Sequence, residues 1–251
     1  MSETRRAVRS ALLRRLPYPW WGPVFSMLNR AASHRRAFRR MRVGAGSYID
    51  PSVQIVGWEH VRVGSNSTLS EGVWLNVNHR DQPVDRIMVG DFCHIGRNNF
   101  LSSGPSIELR DYCFTGLDCH FLGCGHDVAL PSSPYIVAGL SAGAPIVIGT
   151  NCWLATSVTV LEGVEIGRGS VVGARSLVTR SLPPFSIALG APAQVVKRFD
   201  FRNQRWTDMR TWSDDLERFM PSAEEYDDEL RRRFSDFRLS LHSGSRRFGW
   251  L

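Results

Sequence analysis

Aliphatic residues recur at every sixth position between residues 148 and 178 of this chain. A period of six fits neither an amphipathic helix, which repeats every 3.6 residues, nor a half-buried strand, which alternates every two. It fits short strands joined by tight bends, with three strands in each eighteen-residue coil. The pattern therefore predicts stacked coils whose aliphatic columns form the core, and the members of this series are Ile148, Leu154, Val160, Ile166, Val172 and Val178.

The same period returns upstream in four triplets. Each triplet predicts one coil, and together they are Val43, Ile49 and Ile55, then Val63, Leu69 and Leu75, then Val89, Ile95 and Leu101, then Leu109, Thr115 and Phe121. Two intervals between successive coils exceed the eighteen-residue repeat by much more than the others, which predicts loop insertions at 76–86 and 123–145. Long loops on a rigid scaffold are where functional residues tend to lie.

The repeat divides the chain into three regions. We expect a basic helical segment at 1–42, a β-helix domain at 43–198 that carries both insertions, and a helical tail at 199–251. In the tail, Met209, Trp212, Leu216 and Phe219 have helical spacing. A capping box at Ser222 and Glu225 then predicts the start of another helix.

Positive charge is concentrated at the N-terminus. The net charge of the chain is +7, and residues 1–42 hold 11 Arg against one acidic residue. The positive charge does not by itself indicate nucleic-acid binding, because a basic tail can equally stay solvated or meet an anionic membrane surface. We therefore expect no nucleic-acid partner. We expect the basic segment to cover the open end of the coil, with peripheral membrane contact as the alternative.

The cysteines favour a reducing, cytoplasmic location. The chain has five cysteines, and an odd number of cysteines in a chain of this length is not typical of a disulfide framework. Cys93, Cys113, Cys119 and Cys152 all occupy the small inward slot of the repeat, where a thiol behaves as a compact apolar group. No run of eighteen apolar residues is available to cross a bilayer.

Several motifs accompany the repeat in a fixed order. The larger insertion begins with Gly123-Cys-Gly-His-Asp127. The next segments are Ala144-Pro-Ile-Val-Ile-Gly-Thr-Asn-Cys-Trp-Leu-Ala-Thr156, Val172-Gly-Ala-Arg-Ser-Leu-Val-Thr-Arg180 and Gly190-Ala-Pro-Ala-Gln-Val-Val-Lys197. In order and spacing, these motifs resemble the hexapeptide-repeat acyltransferases, and in particular their galactoside, maltose and colanic-acid O-acetyltransferase branch.

The resemblance implies a fold and a reaction. The fold is a left-handed parallel β-helix with helical flanks, in a chain that assembles as a homotrimer. The reaction moves an acyl group, in most cases acetyl, from coenzyme A to a hydroxyl of a saccharide or glycosylated small molecule, without a metal. An alcohol is a poor nucleophile at neutral pH, so a histidine is needed as general base.

The resemblance also implies roles for individual residues. His126 matches the catalytic base. Asn98, Asn99 and Asp127 are the candidates for contact with the acceptor. The positions that match the family's coenzyme A contacts are Trp153, Thr156, Ala174, Thr179, Arg180 and Lys197.

Other interpretations of the same residues stay open. A carbonic-anhydrase-like member of the fold would bind zinc through His94, His120 and His126, and a non-catalytic scaffold would use none of them. Cys124 and His126 could form a nucleophilic pair, since residues two apart on an extended chain share a side. Trp153 could instead pack in an outer ladder, because its position in the coil is the one held elsewhere by Tyr48, Thr68, His94 and Phe114.

Overall fold

The computed structural model describes residues 42–236, in which most of the regular structure is short β-strands. The coils that the six-residue period predicted are present from β1 to β18. The first eighteen strands are β1 (Arg42–Val43), β2 (Tyr48–Ile49), β3 (Gln54–Val56), β4 (Val61–Val63), β5 (Thr68–Leu69), β6 (Trp74–Val77), β7 (Ile87–Val89), β8 (His94–Ile95), β9 (Phe100–Ser103), β10 (Ile107–Leu109), β11 (Phe114–Thr115), β12 (His120–Leu122), β13 (Ile146–Ile148), β14 (Trp153–Leu154), β15 (Thr159–Leu161), β16 (Glu165–Ile166), β17 (Val171–Val172) and β18 (Leu177–Val178).

Successive coils stack so that every third strand pairs in parallel. Sheet A has the order β1-β4-β7-β10-β13-β16, and sheet C contains β3, β6, β9, β12, β15 and β18. Sheet B begins with β2-β5-β8-β11-β14-β17. Each coil contributes one strand to sheet A, one to sheet B and one to sheet C in turn. The coiled part is therefore a triangular prism with three corners, A–B, B–C and C–A.

The aliphatic columns fill the interior of the prism. Leu69, Ile95, Thr115, Leu154 and Val172 follow one another on sheet B and are fully buried. Because strands are only two to four residues long, each coil contributes its inward residues and then turns, which explains why the period is six and not two. Removing one such side chain leaves a cavity that neighbouring coils cannot fill.

The cysteine prediction is confirmed for the inward slot. Cys93, Cys113 and Cys152 form a buried column at the A–B corner, and Cys119 is buried at the B–C corner. The thiols of this column face carbonyl oxygens of the following coil, with Sγ of Cys93 3.1 Å from the oxygen of Arg110. Burial raises the pKa of Cys152 to about 12, so this thiol stays protonated.

Both insertions leave the prism at the C–A corner. The first, 78–86, connects β6 to β7, and the second, 123–145, connects β12 to β13. The coils between and after them make the same turn in three residues, 104–106 and 162–164. In the latter turn Gly163 has φ +75°, and a Cβ there would lie 3.5 Å from the side chain of Ala144 at the base of the larger loop.

Sheet B continues past the coils into an antiparallel hairpin. Strand β19 (Ser186–Gly190) pairs in parallel with β17, then β20 (Ala193–Asp200) pairs with β19, and β21 (Arg205–Asp208) pairs with β20. These strands cover the edge that the last coil would otherwise leave open.

The predicted helical tail is therefore only partly correct. Residues 199–208 belong to the second half of the hairpin. Of the residues with helical spacing, Met209, Leu216 and Phe219 lie in 3-10 turns at Met209–Thr211 and Asp214–Phe219, and Trp212 lies between the two turns. One α-helix, α1 (Ala223–Phe234), follows, and its capping box between Ser222 and Glu225 is present as predicted.

Helix α1 packs beside the A–B corner. Nδ2 of Asn151 donates to the hydroxyl of Tyr226 at 2.6 Å, and Arg231 forms an ion pair with Asp111 at 3.2 Å. The ring of Tyr226 meets Phe185 edge-on.

The predictions for the basic segment at 1–42 fall almost entirely on residues outside the described part, which begins at Arg42. None of the helices in residues 42–236 has the length and apolar composition needed to cross a membrane.

Candidate functional site

The loop that carries His126 is folded back on itself as an irregular hairpin. Main-chain hydrogen bonds join Asp127 N–H to the Gly139 oxygen at 3.1 Å and Ser141 N–H to the Gly125 oxygen at 2.9 Å. The Ser141 hydroxyl accepts from the Gly125 N–H at 3.0 Å. These bonds close the loop immediately above the C–A corner, so His126 is held by an ordered backbone.

Its imidazole is exposed and anchored through one nitrogen. Nδ1 of His126 lies 3.1 Å from the carbonyl oxygen of Gly139. A carbonyl can only accept, so this contact assigns the proton to Nδ1 and leaves the lone pair on Nε2. This tautomer is the one that can receive a proton from a ligand hydroxyl. Neither Gly139 nor Ser141 carries a sequence signal, because one acts through its backbone and the other is a common loop residue.

The Cys124 thiol forms its hydrogen bonds with Gly125 and Ser141 and not with His126. Its Sγ lies 3.3 Å from the Ser141 oxygen and 3.4 Å from the Gly125 oxygen. Both contacts point toward the loop's own backbone. The interpretation as a Cys–His nucleophilic pair therefore has no geometric support.

Trp153 lies on the outer face of sheet B, in the ladder that the register predicted. The cross-strand row is Tyr48–Thr68–His94–Phe114–Trp153 and continues through Val171 and Ile187 to Lys197. The Trp153 side chain is 47% exposed, and its ring stacks on Phe114 with the centroids 6.4 Å apart. Trp153 thus packs in the ladder and is also accessible from outside. Trp153 and Lys197 lie in the same row on sheet B.

The remaining candidates for cofactor contact fall into two groups. Thr156 and Ala174 are exposed at the B–C corner, one coil apart and beside the Trp153 row. The oxygen of Thr156 accepts from the Arg175 N–H at 2.9 Å, which ties the two turns together. Thr179 and Arg180 are exposed after β18, at the C–A corner. This second group lies on the same corner as the His126 loop.

The three candidates for acceptor contact differ in exposure. Asn98 is exposed at the B–C corner, has φ +58°, and donates through Nδ2 to Asp118 Oδ1 at 3.2 Å. Asp127 is exposed, and its Oδ1 accepts from the Ala129 N–H at 2.9 Å, which shapes the loop.

Asn99 is a correction to the sequence-based prediction. Its side chain is fully buried, and Nδ2 donates to backbone oxygens of Gly96 and Gly116 at 3.0 and 2.8 Å. The residue occupies the inward slot of the repeat, the position equivalent to Cys119 in the next coil. It holds two coils together and does not face an acceptor.

A single chain does not bring His126 and Trp153 together. In a triangular coil the C–A corner, where the His126 loop leaves, is opposite sheet B, where Trp153 lies. The candidate base and the candidate cofactor row therefore face away from each other within one molecule.

The three histidines of the zinc interpretation are separated as well. His94 lies on sheet B, His120 on sheet C and His126 in the loop. Within residues 42–236 no group of three or more His, Cys, Asp or Glu side chains is arranged to hold a metal ion.

Comparisons with known proteins bear on the repeat and on the family. Residues 145–180 match the family model described as bacterial transferase hexapeptide (six repeats). The putative lipopolysaccharide biosynthesis O-acetyl transferase WbbJ of Escherichia coli is 30% identical over 149 residues, which are 58% of this chain and 76% of that protein. The probable acetyltransferase Rv3034c of Mycobacterium tuberculosis is 31% identical over 138 residues, which are 51% of this chain. The matched stretch spans only 44% of the mycobacterial protein.

A solved structure supports the architecture. The N-acyltransferase AntD of Bacillus cereus, crystallised with dTDP and 3-hydroxybutyryl-CoA, superposes with a TM-score of 0.58 at 16% identity. The alignment covers 81% of this chain and 97% of AntD. At this level of identity the likeness concerns the fold.

Proposed function

The chain belongs to the bacterial transferases built from hexapeptide repeats, as its motifs predicted, and on this basis we propose that it is an acyl-CoA-dependent O-acyltransferase. The acyl group, acetyl in the first instance, passes to a hydroxyl of a saccharide or glycosylated small molecule. The observation that carries the proposal is the exposed His126, whose Nδ1–H is engaged by Gly139 so that Nε2 is free to act as base.

The proposed reaction transfers one acyl group and moves one proton in two steps, through Nε2 of His126. Nε2 of His126 takes the proton of the acceptor hydroxyl while the oxygen attacks the thioester carbonyl. When the tetrahedral intermediate collapses, the carbon–sulfur bond breaks and the coenzyme A thiolate receives the proton from Nε2. General-base assistance of this kind contributes about 10²- to 10⁴-fold in rate.

The cofactor is proposed to lie along the exposed row of sheet B. Neighbouring parallel strands are about 4.8 Å apart, so the three strand intervals from Trp153 to Lys197 span about 14 Å. That is enough for an extended ligand with its acyl end near Trp153 and an anionic end near Lys197. Thr156 and Ala174 border this row at the B–C corner, and Thr179 and Arg180 would approach it from another copy.

A second copy is required because one molecule separates His126 from Trp153. We therefore propose the family's homotrimer, wound as a left-handed β-helix, with each site shared between two copies. The larger loop supports this arrangement, because Ile136 is 86% exposed and the loop's other apolar side chains are also accessible. A second copy would cover that apolar surface.

The proposal also includes the division of the chain into three regions, at 1–42, 43–198 and 199–251. It includes a cytoplasmic location, with or without peripheral membrane contact.

The acceptor class is proposed from the relatives. WbbJ is named for lipopolysaccharide biosynthesis, and AntD was crystallised with a dTDP-sugar. A saccharide acceptor for this chain is consistent with both.

The test is acceptor-dependent release of free coenzyme A from acetyl-CoA by the purified protein. It is preceded by a thermal shift with coenzyme A, since a ligand at 100 times its Kd stabilises the folded state by about 2.7 kcal/mol. Light scattering on the same sample should give three times the chain mass of 28.3 kDa. If coenzyme A at millimolar concentration leaves the Tm of a correctly folded sample unchanged, the acyltransferase assignment is wrong.

A further inference from the structure

The two insertions flank one short turn at the C–A corner. Strands β6, β9 and β12 are neighbours in sheet C, and strands β7, β10 and β13 are neighbours in sheet A. The connection from β9 to β10 is the turn 104–106, so it lies between the first insertion, 78–86, and the larger loop, 123–145. Any contact that the first insertion makes with this turn therefore bears on the loop that carries His126.

Both ends of the first insertion are hydrogen-bonded to the segment that contains the turn. At its start, Nδ2 of Asn78 donates to the Ser102 hydroxyl at 2.9 Å and to the Ser103 oxygen at 2.8 Å. At its end, Nη1 of Arg86 donates to the Pro105 oxygen at 3.0 Å. The first insertion thus holds both the end of β9 and the turn that follows it.

The same segment supports both ends of the larger loop. The Gly123 N–H donates to the Ser102 oxygen at 2.9 Å. A Cβ on Gly104 or on Gly143 would collide with the carbonyl oxygen of Gly123, so these main chains pack with no side chain between them. A Cβ on Gly143 would also lie 3.3 Å from Cδ of Pro105. Because close-packed groups transmit displacement, a shift of the turn moves the points where the loop begins and ends.

Arg86 is buried at a cost that its ion pair does not offset. Its side chain is 12% exposed, whereas Asp81, its partner at 3.3 Å, is 70% exposed. Nε of Arg86 is buried and has no hydrogen-bond partner among residues 42–236. An exposed carboxylate compensates poorly for taking a guanidinium out of water. The stability of this corner therefore does not account for Arg86, and its bond to Pro105 is the contact that bears on the loop.

We propose that Asn78 and Arg86 are positioning residues for the reaction, and that they act through the turn 104–106 to fix the loop that carries His126. The inference rests on the proposed acyltransferase function, in which Nε2 of His126 is the base. In this role neither residue touches the reactants. The first insertion orients the base of its own chain, although the complete site includes a second copy.

The first test is Arg86→Ala. Its kcat should fall about tenfold to 100-fold, because a small misplacement of a catalytic group is costly. KM for acetyl-CoA and the Tm shift with coenzyme A should not change, since Trp153 and Lys197 lie on sheet B. Millimolar guanidinium chloride, which is far too dilute to unfold a small protein, should restore part of the kcat of Arg86→Ala and none of that of His126→Ala.

Arg62→Ala is the matched control. Arg62 forms an ion pair at 3.4 Å with Asp85, which belongs to the same insertion, but its side chain is 55% exposed. Within residues 42–236 this side chain makes no hydrogen bond to the turn 104–106. Arg62→Ala should therefore keep the wild-type kcat. Equal kcat values for Arg86→Ala and Arg62→Ala would overturn the proposal.

A second variant covers the case in which Arg86→Ala does not fold. It replaces 78–86 by Gly-Pro-Ser, the sequence of the turn 104–106. The ends match in register, because Val77 pairs with Ser103 and Ile87 pairs with Ile107. This graft should assemble with the wild-type mass, bind coenzyme A and lose at least as much kcat as we expect for Arg86→Ala. Wild-type kcat in the graft would contradict the positioning role.

Amide hydrogen exchange follows the loop independently of activity. The N–H groups of Asp127 and Ser141 are bonded within the loop, to the Gly139 and Gly125 oxygens. Both should exchange faster in the variant that loses the Arg86 contact, and at the wild-type rate in the exposed-arginine control, because a loosened loop opens more often. Unchanged exchange, or faster exchange with wild-type kcat, would show that the first insertion does not position the base.

The outcomes distinguish this inference from the proposed function. If the wild type releases no coenzyme A from acetyl-CoA, the acyltransferase assignment fails, and the catalytic role of Asn78 and Arg86 fails with it. If the wild type is active and Arg86→Ala matches Arg62→Ala in both kcat and exchange, the acyltransferase assignment stands and the positioning role is wrong.

Discussion

The Gly139 carbonyl oxygen lies 3.1 Å from Nδ1 of His126 and so determines which imidazole nitrogen is available for chemistry. The partner is a backbone atom thirteen residues away, brought close by the hairpin that closes the loop. A carboxylate would play the same orienting role in many hydrolases, but a neutral carbonyl holds the tautomer without adding a charge.

Replacing His126 by Ala should lower kcat by about 10²- to 10⁴-fold, the range expected for loss of a general base. The side chain is exposed, so the Tm, the oligomeric state and the thermal shift with coenzyme A should not change. Cys124→Ala serves as the control in the same loop and should retain activity. Full activity in His126→Ala would contradict the assigned base.

Ser141→Ala should reduce kcat more than it changes either KM. The Ser141 hydroxyl accepts from the Gly125 N–H at 3.0 Å and lies 3.8 Å from the Cys124 thiol, so its loss loosens the base of the hairpin that orients His126. We expect a loss of about tenfold or more, because small misplacement of a catalytic group is costly. Ser133→Ala, in the same loop, is the comparison. Equal kcat in the two variants would show that the hairpin bond does not position His126.

Activity should reappear when two inactive variants share one oligomer. His126→Ala and Trp153→Ala are each expected to be impaired, but a mixed oligomer can pair an intact His126 from one copy with an intact Trp153 from another. The measurement is activity after co-expression and purification through a tag on each variant. Mixed oligomers with no more activity than the single variants would place both residues' function within one chain.

The repeat predicted the coils, whereas it predicted much less of the structure of the loop at 123–145 and of the tail at 199–251. A period of six identifies each inward residue, so the core columns, the buried cysteines and the outer ladder through Trp153 all followed from register. Asn99 was misjudged because a polar residue in the inward slot can be satisfied by backbone oxygens of neighbouring coils. The hairpin of β20 and β21 was missed because it pairs with the sheet edge, which is a long-range contact that spacing does not encode.

The sequence also did not predict that the outer face of sheet B forms a cavity of about 280 Å³ beside Tyr48, Thr68 and His94. Its residues come from four coils and are brought together only by stacking, although the register had already aligned Tyr48, Thr68 and His94. The orientation of the base by Gly139 has no signal in the sequence, since any residue has a carbonyl. Register thus predicts which face a side chain occupies, and it does not predict which surface groups form a cavity.

His94 should make folding stability depend on pH. Burial lowers its pKa below the ordinary value of about 6.5, so the unfolded chain binds the proton first as the pH falls. The contribution of His94 to the free energy of unfolding is therefore greatest above about pH 6.5 and declines as the pH drops toward the folded-state pKa.

The measurement is Tm at pH 7.5 and at pH 5.0. His94→Phe should show a smaller loss of Tm between the two values than the wild type, since Phe extends the ladder of Phe114 without titrating. Thr68→Val, next to His94 in the same row, changes packing without removing a titrating group and should keep the wild-type difference. An identical difference in His94→Phe and wild type would exclude His94 as a source of the pH dependence.

Arg198 should stabilise the hairpin more than an exposed arginine does. Its side chain is 7% exposed, pairs with Glu217, and lies 4.8 Å from the Trp212 ring. Arg198→Ala removes these contacts and leaves Glu217, which is half exposed and so partly resolvated. We expect a loss of about 2 kcal/mol, less than the 3–5 typical of a fully buried pair, and a fall in Tm of about 4–8 °C.

The control is Arg202→Ala, since Arg202 is exposed and its guanidinium lies 5.7 Å from the Phe219 ring. Its loss should change Tm by only about 1–4 °C, because exposed contacts of this kind contribute about 0.5–1 kcal/mol. Arg198→Met keeps the apolar stem over Trp212 and should recover part of the loss, because long charged side chains also stabilise through their methylenes. Equal Tm values for Arg198→Ala and Arg202→Ala would mean that the 3-10 turns, and not the Arg198 contacts, hold the tail to sheet B.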